Sequence, residues 1–434
     1  MRFYIVTLGC PKNQVDSEMM AELLIAAGHR MVGEPRRADL LIANTCGFIE
    51  AAREESYEQL RELAQSKSRD QLLIAAGCMA QRYGQDIRHH VPRVDAVIGT
   101  RSWPEIVQLV QRLEAGEHPL TLVRDKSQVV TSVTRHAMAG ASAYLKIADG
   151  CDASCAFCAI PLIKGPQRSK PQAAVFREAQ ELVSEGVREI ILIAQDTSRY
   201  GADLGLKDGL PDLLWSLSEA VPKLDWLRLM YVYPGHVSDR LIATMADLPQ
   251  VCHYVDIPLQ HGHPEVLRRM RRPHDVGAVH LLVENLRQAM PDVALRSTMI
   301  VGYPGETEEE FEEMLGFLEE LTFDKVGVFA YSPEAGTAAA SLPNRVPPEA
   351  IAERYDRAMT LQQEISWDRN AGQLGRVLPI LIDGSGDGLS VGRSYRDAPE
   401  IDGLVLIAQE LAPGSLVRAR IVEAQPYDLV AEVV

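Results

Sequence analysis

Three cysteines lie close together in the stretch GCDASCAFCAIP, residues 150–161. Cys151, Cys155 and Cys158 are separated by three and then two residues, so one loop carries three thiols that can share a single inorganic cluster. A structural zinc site is the alternative, but such sites are closed by four ligands, usually in two pairs, and no second pair follows. Thiolates also bind iron–sulfur clusters, and a four-iron cluster with only three cysteine ligands has one iron open to a small molecule. We call these residues the central cysteines.

Three further cysteines, the N-terminal cysteines, are dispersed along the beginning of the chain. Cys10 follows the run RFYIVTL, Cys46 follows ADLLIANT, and Cys78 follows QLLIAAG. Each run is short, apolar and rich in strand-forming residues, and is predicted to be a strand. As isolated thiols they would need no explanation, since cysteine is often a small core residue. Because parallel strands of a doubly wound sheet end at one edge, we expect all three to emerge together.

The elements that must position these cysteines alternate between strands and helices, which predicts an α/β fold. Residues 1–118 are predicted to be a doubly wound α/β domain, and residues 119–136 a linker. Six strand-like runs, from AYLKIA to KVGVFAYSP, alternate with helical segments over residues 137–370, which end in a connecting helix. Such units imply parallel strands with right-handed crossovers, and hence a partial (βα)6 barrel like a TIM barrel. Residues 371–434 have short strands between turn residues and are predicted to be a small antiparallel β-barrel.

In a barrel of this kind, chemistry takes place at the carboxyl ends of the strands. The central cysteines follow the first of the six strands, and Gln195 and Asp196 follow the second. Gly302, in the run IVGYPGE after the fifth strand, either lets the backbone approach a ligand or belongs to a turn that requires glycine. It is not part of a phosphate loop, because no Gly-Lys-Ser or Gly-Lys-Thr follows. Cys252 has no partner cysteine nearby and is predicted to be a core residue.

The composition is that of an ordinary globular protein, with 46% hydrophobic and 24% charged residues among 434. No apolar run approaches the roughly 18 residues that a membrane helix needs, and the first residues lack the features of a signal peptide. We therefore expect a cytoplasmic protein with no membrane partner. In that reducing compartment, seven cysteines favour metal or redox roles over disulfides. The formal net charge of −16 disfavours binding to a phosphate backbone.

The central cysteines, placed after the first strand of a partial barrel, resemble those of the radical S-adenosylmethionine (SAM) enzymes. The resemblance implies a 4Fe–4S cluster whose open iron binds SAM, and reductive cleavage of SAM to a 5′-deoxyadenosyl radical. It also implies that the polar and aromatic groups around the cofactor come from five positions of this chain. These positions are Phe157, Gln195, Asp196, Arg296 and Gly302.

The pieces LGCPKN, ANTCGF and AAGCMAQ resemble the N-terminal domain of the methylthiotransferases. The resemblance implies that Cys10, Cys46 and Cys78 hold a second 4Fe–4S cluster, which binds the sulfur to be transferred. It covers nearly the whole chain, since residues 371–434 are similar to the TRAM module. An electron-donor protein is an implied partner of such an enzyme.

Two substrate classes occur among the methylthiotransferases: the MiaB type modifies an adenosine in transfer RNA, and the RimO type modifies an aspartate in the twelfth protein of the small ribosomal subunit. A transfer RNA reader depends on Lys and Arg contacts to phosphate, whereas residues 374–434 contain nine acidic and five basic side chains. An acidic surface complements a basic ribosomal protein. The runs GCPKN, NTCGFI, DIPLQH, YSPEAGT and GRSYRDAPEIDG are also similar to the RimO type. We therefore predict methylthiolation of an aspartate β-carbon; modification of transfer RNA is the alternative, and a non-catalytic iron–sulfur carrier is a third reading.

Overall fold

The computed structural model describes residues 1–125, 135 and 140–434, arranged as an N-terminal α/β domain, a central partial barrel and a C-terminal β-barrel. This confirms the predicted fold class. Most of the predicted linker lies outside the described residues. Within it, residues 120–122 form a strand that extends the first sheet, so the exact domain boundaries remain a prediction.

The N-terminal domain is built on a parallel six-stranded sheet with the order β2-β1-β3-β4-β5-β6. Its strands are β1 Arg2–Thr7, β2 Arg30–Met31, β3 Leu40–Thr45, β4 Leu72–Ala76, β5 Ala96–Gly99 and β6 Leu120–Leu122. Its helices are α1 Pro11–Ala26, α2 Glu50–Ser66, α3 Gly77–His90 and α4 Ile106–Glu114.

Helices cover both faces of this sheet because successive strand residues point to opposite sides. Leu40 and Ile42 of β3 pack with α1 and α4, whereas Leu41 and Ala43 pack with α2 and α3. The domain is therefore doubly wound, as predicted. The face that carries α1 and α4 also shares its apolar cluster with Tyr144 and other residues of the central barrel, so the two domains form one continuous core.

The central barrel has six parallel strands, and its sheet is open because β7 and β14 are edges that do not pair with each other. Its main strands are β7 Ser142–Lys146, β10 Glu189–Ile193, β11 Trp226–Leu229, β12 Val251–Asp256, β13 Ala294–Val301 and β14 Lys325–Ala330. A small ribbon consists of β8 Ala148–Asp149 and β9 Arg168–Ser169. The helices are α5 Ile160–Ile163, α6 Gln172–Ser184, α7 Gly209–Ala220, α8 Asp239–Asp247, α9 Pro264–Arg269, α10 Val276–Ala289, α11 Glu308–Leu321 and α12 Pro348–Ala371.

The C-terminal domain is a closed five-stranded barrel with the order β15-β16-β17-β19-β18. Its strands are β15 Val377–Gly386, β16 Leu389–Ser394, β17 Val405–Ile407, β18 Leu416–Ala424 and β19 Leu429–Val433. Four of the strand pairs are antiparallel, as predicted, but β17 and β19 pair in parallel. The parallel pair arises because β18, the next strand after β17 in the sequence, pairs with β15 instead of β17. The last strand, β19, then lies between β17 and β18 and closes the barrel.

Buried ion pairs attach the C-terminal domain to the amino-terminal edge of the central barrel. Arg393 contacts Glu189, the first residue of β10, at 2.8 Å, and Asp397 contacts Lys325, the first residue of β14, at 3.1 Å. The opposite edge of the barrel, where the strands end, is thus left to face the N-terminal domain. Among the residues described here, no helix combines the length and apolar character needed to cross a membrane.

Candidate active site

The N-terminal cysteines lie at the carboxyl edge of the first sheet. Cys10 caps α1, Cys46 directly follows β3, and Cys78 is in the first turn of α3. The Cys10 thiol is exposed, while the other two are buried. Gly9 brings the first loop against Cys46, because a Cβ atom at Gly9 would lie 2.9 Å from the Cys46 Sγ atom. With a φ of +90° as well, this position requires glycine.

Asn13 connects the loops that carry these three cysteines. Its Nδ2 atom donates to the carbonyl oxygen of Leu8 at 2.9 Å and to that of Thr45 at 3.2 Å. Its Oδ1 atom accepts a hydrogen bond from the Cys78 thiol at 3.4 Å. One buried side chain therefore holds together the ends of β1 and β3 and the start of α3, and the structure places all three cysteines at one edge.

Burial favours the neutral form of the two buried thiols, Cys46 and Cys78. It raises the pKa of Cys46, and it raises the pKa of Cys78 to about 12 although the nearby Lys164 ammonium acts in the opposite direction. In the described part of the chain, no group of three Cys, His, Asp or Glu side chains is arranged around a single metal ion. A cluster makes a different demand, because each thiolate binds its own iron, and iron binding would displace the thiol protons.

The central cysteines lie on the loop between β8 and α5, and hydrogen-bond donors point at their sulfur atoms. The N–H of Ala153 lies 3.4 Å from the Cys151 Sγ atom, and the N–H of Ile160 lies 3.5 Å from that of Cys158. Arg272 places its Nη1 atom 3.6 Å from the Cys155 Sγ atom. Burial raises the pKa of Cys151 and raises that of Cys158 to about 12, and these donors act in the opposite direction by favouring the thiolate. Three thiols with such donors on one loop are suited to an iron–sulfur cluster, in which iron replaces the thiol protons.

Gln195 and Asp196 lie beside this loop, directly after β10. The Gln195 Nε2 atom donates to the Asp149 carboxylate at 3.3 Å, but within the described residues its buried Oε1 atom has no hydrogen-bond partner. Asp196 accepts a hydrogen bond from the Ser198 hydroxyl at 2.5 Å and lies 2.8 Å from the His236 Nδ1 atom. Because buried polar atoms are rarely left unpaired, the Gln195 oxygen is available to a polar ligand.

Phe157 and Arg296 have clear structural partners. Phe157 packs against an apolar cluster that includes Tyr303. Arg296, in β13, donates to Asp256 at 2.9 Å and contacts Asp402 of the C-terminal domain at 3.4 Å. Its charge is thus already balanced by carboxylates, and a contact with SAM remains a prediction for both residues.

Gly302 directly follows β13 and has a φ of +77°, and a Cβ atom there would lie 2.4 Å from the Cγ1 atom of Ile351 in α12. Its N–H donates to the Glu306 carboxylate at 3.1 Å. The turn and the packing of α12 are sufficient to require glycine, and a contact with cofactor stays a prediction. Cys252 is buried in β12, in the core, as expected.

The two groups of cysteines face each other across the domain boundary. Cys78 packs against Ala159, the residue after Cys158, and against Ile163 of α5. Arg101, after β5, reinforces this contact, because its guanidinium donates to the carbonyl oxygen of Ile163 at 2.7 Å. The sequence predicted each group separately; their juxtaposition is visible only in the structure.

A buried bridge of two lysines and two aspartates fixes the position of one domain against the other. Asp16 of α1 contacts Lys164 at 3.0 Å and also contacts Lys146 at the end of β7. Asp149 contacts the same two ammonium groups, each at 3.3 Å. Burial would lower the pKa of Lys164, but the two aspartates outweigh it and hold that pKa above its usual value. Sequence reasoning missed this bridge, and the only signal was an aspartate on the buried face of α1.

Comparison with known proteins decides the family. Residues 2–99 match the Uncharacterized protein family UPF0004, residues 145–318 the Radical SAM superfamily, and residues 374–434 the TRAM domain. A protein of Roseiflexus castenholzii named Ribosomal protein uS12 methylthiotransferase RimO is 48% identical, over 100% of this chain and 96% of that protein. A protein of the same name from Chloroflexus aurantiacus is 50% identical, over 100% and 99%. The chain belongs to the RimO family.

Membership of the RimO family confirms the predicted resemblance and does not favour the MiaB alternative. Among solved structures, the RimO fold seen here is similar to the radical SAM methyltransferase TsrM from Kitasatospora setae with cobalamin and a [4Fe-4S] cluster bound. The TM-score is 0.59 at 12% identity, covering 90% of this chain and 80% of that one. The cobalamin-dependent SAM radical enzyme OxsB has a TM-score of 0.55 at 10% identity, covering 84% and 56%. These distant structures support the fold alone.

Proposed function

We propose that this chain is a radical SAM methylthiotransferase that adds a methylthio group to the β-carbon of an aspartate in ribosomal protein uS12. The observation that carries the proposal is the contact of Cys78 with Ala159 and Ile163, beside Cys158. Joining sulfur to carbon requires the sulfur carrier and the radical source to lie close together. A chain with two groups of three cysteines meeting at one boundary meets that requirement.

In this proposal the central cysteines hold a 4Fe–4S cluster that binds SAM, and the N-terminal cysteines hold a second. When bound, these groups would supply a 5′-deoxyadenosyl radical, from reductive cleavage of one SAM, that removes a β-hydrogen, and the sulfur that replaces it, with its methyl group from a second SAM. No acid or base side chain can remove that hydrogen, because the neighbouring carboxylate is ionised near neutral pH. The donors around the sulfur atoms of Cys151, Cys155 and Cys158 support the first assignment.

The protein's own contribution is position and exclusion of water. The bridge formed by Asp16, Lys146, Asp149 and Lys164 sets the distance between the two groups of cysteines. At the rim, Arg82 of α3 contacts Glu334 after β14 at 2.7 Å. These contacts hold the N-terminal domain in a fixed position against the central barrel. A reaction that depends on the orientation of its reactants needs such a fixed position.

The names of the relatives support uS12 as the substrate. The acidic charge of the C-terminal domain is consistent with binding of a basic protein. Asp383, Asp397 and Asp402 are engaged by Arg393, Lys325 and Arg296. The exposed acids outside these pairs are Asp387, Glu400, Glu410, Glu423 and Glu432, against exposed Arg418 and Arg420. We therefore propose that these exposed acids attract uS12 and that transfer RNA is not a substrate. An electron-donor protein completes the set of partners.

Anaerobic reconstitution with iron, sulfide, SAM and a reductant tests the proposal. A uS12 peptide with the target aspartate should gain a methylthio group, detected by mass spectrometry, while transfer RNA should be unchanged. The matched control is a variant in which the central cysteines are alanine, which should form neither deoxyadenosine nor product. A modified adenosine together with an inert peptide would refute the assignment, and absence of both products and of deoxyadenosine would support a non-catalytic carrier.

A further inference from the structure

Lys12, in the run LGCPKN, has a buried side chain with no role in the mechanism proposed above. It lies in the first turn of α1, two residues after Cys10, and is 8% exposed. Its ammonium nitrogen lies 3.2 Å from the centroid of the Tyr231 ring, on the loop after β11. The side chain therefore crosses from the edge that carries the N-terminal cysteines to the mouth of the central barrel.

Tyr231 is held in place by neighbouring strands. Its φ is +62°, in the left-handed region that an aromatic residue rarely adopts. Its N–H donates to the Asp256 Oδ2 atom at 3.0 Å, while Arg296 donates to the Oδ1 atom at 2.9 Å. Backbone strain of this kind persists only where the surroundings impose it, and it is frequent at ligand sites. The position of the Tyr231 ring next to the Lys12 ammonium group is thus fixed by its surroundings.

Within the described residues, no carboxylate forms an ion pair with the Lys12 ammonium group, although Cys10, Asp256 and Asp149 lie near enough to act on its charge. Other buried lysines here do form ion pairs: Lys146 and Lys164 contact Asp16 and Asp149, and Lys170 contacts Glu178. A buried charge is normally paired, because transfer of an unpaired charge from water to the protein interior costs free energy. The ring face stabilises a cation but does not replace a counterion. The strand-end carboxylate Asp256 is already bound by Arg296.

We propose that the Lys12 ammonium binds the side-chain carboxylate of the substrate aspartate. The inference rests on the proposed function and deepens it by naming the group that recognises the substrate. The carbon to be modified is bonded directly to that carboxylate, so its receptor must lie beside the sulfur site and at the barrel mouth. Lys12 is two residues from Cys10 and reaches that mouth. An asparagine in place of the aspartate would lose the charge-assisted hydrogen bond.

Peptide binding to the reconstituted protein tests this directly, by comparing a uS12 peptide that carries the target aspartate with one that carries asparagine there. Wild type should bind the aspartate peptide about tenfold more tightly, or more, as expected for a hydrogen bond to a charged group. Lys12→Gln should reduce that ratio to about one, and the four affinities form a double-mutant cycle that isolates the interaction between Lys12 and the carboxylate. Lys223→Gln removes an exposed lysine before β11, at the other end of the barrel, and should keep the wild-type ratio.

Iron and sulfide content and circular dichroism are measured for every variant, because Lys12 could instead balance the charge of the cluster beside Cys10. A loss of iron in Lys12→Gln with an unchanged peptide ratio would overturn the proposal in favour of that role. An equal loss of affinity for both peptides would also overturn it. If Lys12→Gln does not fold, Lys12→Arg, which keeps the positive charge, is used, and retention of the aspartate preference supports the proposal, whereas its loss contradicts it. If wild type neither binds nor modifies either peptide, the proposed function itself has failed.

Discussion

Asp16→Asn is the substitution that most directly tests how the two groups of cysteines are kept together. Asp16 is 2% exposed and contacts the ammonium groups of Lys146 and Lys164. The change keeps the size of the side chain but removes one of the two carboxylates that neutralise these lysines. Asp149 alone would then face both positive charges.

The size of the effect follows from the burial of this bridge. Removing one partner of a buried ion pair costs about 3–5 kcal/mol, and because Asp149 still compensates part of the charge, we expect a value near the lower end, about 3 kcal/mol. Amides of α1 and α5 that exchange through opening of the domain boundary should then exchange roughly 100-fold faster, since each 1.4 kcal/mol is a factor of ten. Because the two groups of cysteines would no longer be held together, the Asp16→Asn variant should also form less methylthiolated peptide for each deoxyadenosine released.

Hydrogen exchange followed by mass spectrometry measures the first effect, and paired quantification of deoxyadenosine and product measures the second. Asp39→Asn is the matched control in the same domain, because the Asp39 side chain is 38% exposed and pairs with an Arg2 side chain that is 54% exposed. Exposed pairs contribute about 0–1 kcal/mol. Equal exchange rates in the two variants, or an unchanged ratio of product to deoxyadenosine in Asp16→Asn, would show that the bridge does not control the domain boundary.

Three further predictions concern the clusters, a glycine and a titrating carboxylate. Alanine at the central cysteines should abolish deoxyadenosine, alanine at the N-terminal cysteines should leave uncoupled cleavage, and either change should halve the iron content; equal loss of cleavage would contradict this division. Gly302→Ala should lower the melting temperature more than Gly305→Ala, because both have positive φ but only the first places a Cβ against Ile351, and equal shifts would refute the packing argument. A hydrogen bond from His253 lowers the pKa of Asp292 to about 2, despite the opposing effect of burial. The stability lost in Asp292→Asn should therefore decrease as pH falls from about 4, the ordinary Asp pKa, through 2; urea midpoints of both proteins measure it, and a difference that does not change over this range would contradict it.

Local sequence pattern predicted much of this fold because side-chain periodicity is a local property. Runs such as ADLLIANT and EIILIAQD became β3 and β10, since alternating or continuous apolar residues fit a strand buried by helices. The position of a cysteine just after such a run also placed Cys46 and Cys151 at strand ends. For the same reason the doubly wound sheet and the partial barrel were predictable from the order of the runs alone.

Long-range partners were not predictable in this way. Nothing near Asp16 in the sequence indicates that its partner is Lys164, which lies 148 positions later. The same holds for Arg296, predicted as a cofactor contact, whose guanidinium is held by Asp402 from another domain. Parallel pairing of β17 with β19 likewise depends on how the barrel closes.

The sequence by itself therefore predicted which residues would carry chemistry: two groups of three thiols, each following a strand that its own apolar pattern specifies. Only the tertiary structure decided that these groups meet, through the contact of Cys78 with Ala159 and the buried bridge at Asp16. It also placed Lys12 on the ring of Tyr231. The physical reason is that strand and helix patterns follow from neighbours along the chain, whereas the pairing of buried charges depends on which distant surfaces exclude water together.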